Sequence, residues 1–135
     1  MITTFGGNTQ LLESLCSSDV DFVIVGGVAV HFYNASREID DLDIMIRSSE
    51  DNAQKLIAAL TTIGLSIPHS AEAIAKPKVQ IPLKGAQYAD IITPGSEMDF
   101  DEIIGSAECG VVNGVSVKIV GEEILIVMND TERPR

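Results

Sequence analysis

The chain is poor in three things, and each shortage closes off a class of function. It has only two cysteines, Cys16 and Cys109, with no CxxC spacing. That excludes a disulfide scaffold or a cysteine-rich metal knuckle and predicts two reduced thiols in a cytoplasmic setting. It has only 9 Lys and Arg against 20 Asp and Glu, a formal net charge of −11. A surface that tracks a nucleic-acid backbone needs clustered cations. Here the longest basic group, Lys76, Lys78 and Lys84, is spread along a loop region. It also lacks any apolar run long enough to span a bilayer. The opening MITTFGGNTQ has neither a basic region nor an apolar core, so no secretory signal and no membrane partner are expected. Repeats and low-complexity segments are missing as well.

What is present suits one globular domain over 1–135. Hydrophobic residues make up 45 % of the 135, enough for a single core and against disorder. Asn8 or Thr9 is placed to cap a first helix whose apolar face carries Leu11, Leu12, Leu15 and Cys16. Phe22 to Val25 is an all-apolar strand, as expected when both faces are covered. Gly26-Gly27 ends it and opens a short helix over Val28 to Tyr33. Ser48 or Ser49, followed by Glu50 and Asp51, reads as an N-cap with acids in the first turn. Ala53, Leu56, Ile57, Leu60 and Ile63 make a core stripe that Gly64 stops. A short element is expected at Ala71 to Ala75 and a strand at Lys78 to Leu83, with Pro82 marking an edge. Gly85 turns the chain into a second strand over Tyr88 to Thr93. The acidic run Glu97 to Glu102 is a solvated surface or a helix start. Val111 to Val120 is a hairpin on Asn113-Gly114, and a last helix opens at Gly121-Glu122-Glu123.

The chemistry concentrates in Asp21 to Ile46, DFVIVGGVAVHFYNASREIDDLDIMI. Asp41 and Asp43 are two apart, so on a strand their side chains share a face, while Asp40 points the other way and is excluded. Two adjacent carboxylates repel unless neutralised. A hard divalent cation, Mg²⁺ or Mn²⁺, is the chemical solution; a solvated strand start is the plain alternative. Gly26-Gly27 at a strand-to-helix junction offers backbone N–H groups and a positive helix end to a phosphate. His31 reads as a packed or surface residue. Arg37 is either a surface cation or a contact for a phosphate or acid. Asp90 lies among Ala89, Ile91 and Ile92, a costly place for an unpaired charge unless it faces water.

Gly26-Gly27, Arg37 and Asp41-Leu42-Asp43 together resemble the signature of the DNA polymerase beta-like nucleotidyltransferase superfamily. Within it, the stretch is similar to small bacterial nucleotidyltransferases related to the abortive-infection type toxin group. The resemblance runs from about Leu11 to the end. It implies an α/β (α+β) fold, a mixed β-sheet flanked by helices like the polymerase beta palm. It further implies two metal ions held by Asp41, Asp43 and a third acid, for which Asp90 is the match. Gly26 and Gly27 would position the phosphates of an NTP, and Asp90 would act as general base toward an acceptor hydroxyl on a tRNA, a protein or a small molecule. Two features depart from the family. A lysine common in the last helix is replaced by Val127-Met128-Asn129, leaving Lys118, Arg133 or Arg135 as substitutes. The sequence stops where relatives continue into a helical region, as either a minimal or a truncated domain would. Both departures, with the charge of −11, support a second expectation: a catalytically weak module that binds a protein partner, as in a toxin–antitoxin or phage-defence pair.

Overall fold

The computed structural model describes residues 2–3, 8–39, 41–83 and 89–132, with backbone alone from 129. The expectations for Asp40, Lys84, Gly85, Tyr88, Arg133 and Arg135 lie outside the described residues. In chain order the elements are α1 (Thr9–Ser17), β1 (Phe22–Val25), α2 (Gly26–Tyr33), β2 (Leu42–Ile46), α3 (Glu50–Thr62) and α4 (Ala71–Ile74). They continue with β3 (Gln80–Pro82), β4 (Ala89–Ile92), α5 (Phe100–Gly105), β5 (Glu108–Val112), β6 (Val115–Ile119) and α6 (Glu122–Glu132).

The strands form one mixed sheet in the order β3-β4-β2-β1-β6-β5. β2 runs antiparallel to β1 and parallel to β4, and β6 runs parallel to β1. The helices flank it, so the fold is the mixed α/β arrangement expected. One sheet face is apolar throughout: Ile24, Leu42, Ile44, Ile46, Ala89 and Ile91 are all completely buried. Leu11, Leu12 and Leu15 of α1 and Leu56 and Leu60 of α3 belong to the same core. Ser14 locks the two helices by donating its hydroxyl to the Ala59 carbonyl at 2.7 Å. Cys16 departs from the expected stripe and is exposed, because Leu12 and Leu15 already fill the inward side. Asn8 holds the N-cap position of α1 without capping it through its side chain.

The local signals act as their chemistry dictates. Ser49 caps α3 by accepting from the Asn52 N–H, and Asp99 caps α5 by accepting from the Asp101 N–H. Asn113 and Gly114 turn the β5–β6 hairpin with φ of 52° and 81°, the positive values a tight two-residue turn needs. β3 is an edge strand, where the missing N–H of Pro82 costs no ladder bond.

Asn52 ties the far end of the sheet. Its Oδ1 accepts from the Asp21 N–H at 2.7 Å, and its Nδ2 donates to the carbonyls of Asp21 and Arg47 at 3.1 and 3.0 Å. Truncation would remove three part-buried hydrogen bonds and leave the Asp21 N–H and the Arg47 carbonyl without this partner. Asn52→Ala is therefore expected to cost about 2 to 3 kcal/mol in urea unfolding. A loss below half a kcal/mol would show that water replaces all three bonds. Arg47 closes the same end, pairing with Asp21 and Asp101 at 2.8 Å each while its guanidinium lies over the Phe100 ring.

Candidate active site

The row that carries the site follows from strand register. Val25 pairs with Asp43, Asp43 with Asp90, and Asp90 with Pro82. Cross-strand partners share a face, so the two carboxylates sit side by side on adjacent parallel strands, opposite the apolar face. One rung further on, Val23, Met45, Ile92 and Gln80 form the next row of the same face.

Asp90 is 7 % exposed, and its Oδ1 is buried with no hydrogen-bond partner. That excludes the solvated strand face considered from sequence. A carboxylate oxygen withdrawn from water without a partner is expensive, and a bound ion is one thing that would offset the cost. Asp43 is half-buried beside it. Asp41 stands one residue before β2, at a bend, rather than on the strand itself. Among the described residues, no three His, Cys, Asp or Glu side chains stand close enough together to hold a metal ion. The pair fits a hard cation nonetheless: Mg²⁺ usually takes one or two carboxylates and completes its shell with water and phosphate oxygens.

Gly26 explains why a glycine ends β1. Its φ is +67°, and a Cβ built on it would land on the Asp43 carboxylate. Glycine therefore serves both the left-handed turn and the close approach of backbone to acid. α2 starts there with no side-chain cap and no acid in its first turn, so the helix end keeps its preference for an anion. Gly27 is the second residue of that turn. Arg37 lies in the exposed loop after α2. Its carbonyl meets the His31 Nδ1 at 2.6 Å. A carbonyl can only accept, so that nitrogen carries the proton, and the histidine serves to fold the loop.

α6 covers one end of the row. Leu125 and Met128 close over Val25, Gly26, Asp43, Met45 and Ile92, leaving about 40 Å³, room enough for water. Next to it, toward β3, a cleft of about 260 Å³ shares Met45 and Ile92 with this cavity. A larger cleft of about 600 Å³ lies at the opposite end of β1, between Cys16, Phe22, Cys109 and Lys118. It is remote from the acids, and it is where Lys118 is found.

Tyr33, at the end of α2, donates to the Val120 carbonyl at 2.8 Å and to Glu108 at 3.1 Å. Its hydroxyl is pushed up to about 12, first by burial, then by the hydrogen bond and charge of Glu108 and the charge of Glu122. The native state thus holds this proton more tightly than the unfolded chain. The stabilisation is complete below the ordinary value of 10.0 and is lost as pH rises toward about 12. Unfolding midpoints should fall across that window, and Tyr33→Phe should flatten the fall.

Comparison with known proteins supports the fold. No family model matches the chain, and no curated protein matches it. A crystal structure of a Thermotoga maritima protein described as a putative nucleotidyltransferase superposes on it with a TM-score of 0.57 at 12% identity. The match covers 90% of this chain and 80% of that one. The two chains share their fold. Among the described residues, no helix is long and apolar enough to cross a membrane.

Proposed function

We propose that the chain is a metal-dependent nucleotidyltransferase that moves an NMP from an NTP to an acceptor hydroxyl. The observation that carries this is the buried, unpartnered Asp90 Oδ1 in register with Asp43 and beside the Gly26 turn. In this reading Asp43 and Asp90 would hold Mg²⁺ or Mn²⁺, and Asp41, at the bend before β2, would have to move in to serve as the third acid. The bound ion supplies charge neutralisation at the phosphate oxygens. Gly26 and Gly27 present backbone N–H groups to the phosphates, and Arg37 is their side-chain cation. Asp90 takes the acceptor proton at Oδ1, as a general base. α6 keeps bulk water from the acids, which favours transfer over hydrolysis. The acceptor is a hydroxyl on a tRNA, a protein or a small molecule.

Calorimetric titration with Mg²⁺ and each NTP tests the reading, together with transfer of a labelled nucleotide in cell lysate. Binding by the parent and its loss in Asp41→Ala/Asp43→Ala are expected. Equal binding by both proteins would reject it.

A second reading is favoured by Ile126 and Val127 on α6, which are 54% and 58% exposed. Adjacent apolar residues on an outer helix face suit a protein partner, and the module would then act as one half of a toxin–antitoxin pair. Size-exclusion chromatography before and after Ile126→Ser/Val127→Ser separates the two: a partner-binding module loses its complex, while an enzyme keeps its nucleotide affinity.

A further inference from the structure

We infer that the cleft beside β3 is a nucleobase subsite, read by Gln80, Glu97 and Lys78. The inference rests on the nucleotidyltransferase reading and gives that site its specificity.

Three observations converge. The first is position. Met45 and Ile92 wall both the acid cavity and the cleft, and the step from the Asp43–Asp90 row to the Met45–Ile92 row is two residues along the strands, roughly 6.6 Å. A nucleotide separates its reacting phosphate from its base by one ribose, so a ligand with phosphates at the acids extends into this space. The second is shape. The cleft holds about 260 Å³ over the apolar surfaces of Met45 and Ile92. A flat heteroaromatic ring needs such a floor.

The third is polar chemistry. Gln80 is the outermost residue of its row and is exposed, offering both an amide donor and an acceptor. Lys78 and Glu97 add a cation and an anion to the same cleft. Neither is in an ion pair among the described residues. Base edges are recognised by such mixed donors and acceptors.

The segment carrying these groups is held firmly. The Thr93 hydroxyl donates to the Lys76 carbonyl at 2.7 Å and accepts from the Val79 N–H at 2.8 Å. The Lys78 N–H donates to the Pro94 carbonyl at 3.2 Å. These bonds keep Lys78 at φ +54°, a conformation that a lysine does not choose unaided. Gly95 lets the Glu97 carboxylate fold back over the backbone: a Cβ there would stand 2.6 Å from Oε1.

The experiment measures dissociation constants of the full chain, in Mg²⁺, for inorganic tripolyphosphate and for each of the four NTPs. The expected result is that at least one NTP binds about tenfold or more tighter than tripolyphosphate, and that the four differ among themselves. Gln80→Ala and Glu97→Gln should each shrink that spread by about tenfold, the worth of one hydrogen bond, with tripolyphosphate binding unchanged. Lys78→Gly, which relieves the backbone, should do likewise without loss of thermal stability. If all NTPs bind like tripolyphosphate, or if the variants leave every NTP constant unchanged, the subsite is overturned while the nucleotidyltransferase reading stands. If the parent binds neither tripolyphosphate nor any NTP, both fall.

Discussion

Asp90→Asn is expected to yield a protein that is more stable than its parent without divalent cations and inert with them. The parent holds a carboxylate oxygen buried and unpartnered beside a second acid. Removing the charge relieves desolvation and repulsion together, and a gain of about 1 kcal/mol, roughly 4 °C in Tm, is the expected size. Millimolar Mg²⁺ should raise the parent's Tm by mass action and leave the variant's unchanged. Nucleotide transfer should fall by about 10³-fold, the scale of removing one preorganised charge from a reacting centre. Thermal melts with and without Mg²⁺, run beside the transfer assay, check all three. A variant less stable than the parent in chelator would mean that the carboxylate is a structural member, and the assignment of Asp90 would be lost.

Among the described glycines, Gly26→Ala should be the most damaging added methyl group. Two penalties fall on one position. The left-handed φ of +67° costs an L-residue about 1 to 2 kcal/mol. The new Cβ also collides with the Asp43 carboxylate, and overpacking of this kind costs about 1 to 3 kcal/mol. A total of roughly 2 to 5 kcal/mol should appear in urea unfolding, with Mg²⁺ binding weakened because the acid is displaced. A double-mutant cycle separates the parts. Gly26→Ala/Asp43→Ala should recover the collision and leave the backbone cost. A cycle with no coupling would show that Asp43 does not press on the turn.

How much of this was legible depends on the range of the interaction. Gly26, Ser49, Asp99, Pro82 and Asn113-Gly114 announce themselves because a turn, a cap or an edge is decided within a few residues. Asp43 and Asp90 could be named from their apolar settings and the resemblance. Their meeting could not be read from spacing, since parallel pairing of β2 with β4 is not a local property. Cys16 was misplaced because helical periodicity alone does not say which residues fill the inward side. Gln80 and Lys78 were passed over as ordinary members of a strand start. The available signal was the alternation Val79, Gln80, Ile81 beside a proline, which aims one amide at the acid face. Nothing local betrays the positive φ of Lys78.

β1 lies between β2, which follows it closely, and β6, which ends only at Ile119. The middle of the sheet therefore stays half-paired until β6 has been made. During synthesis, Phe22 to Val25 would present an unpaired apolar edge throughout the interval between β2 and β6. That topology predicts slow folding and a nascent chain that leans on chaperones while β6 is still to come.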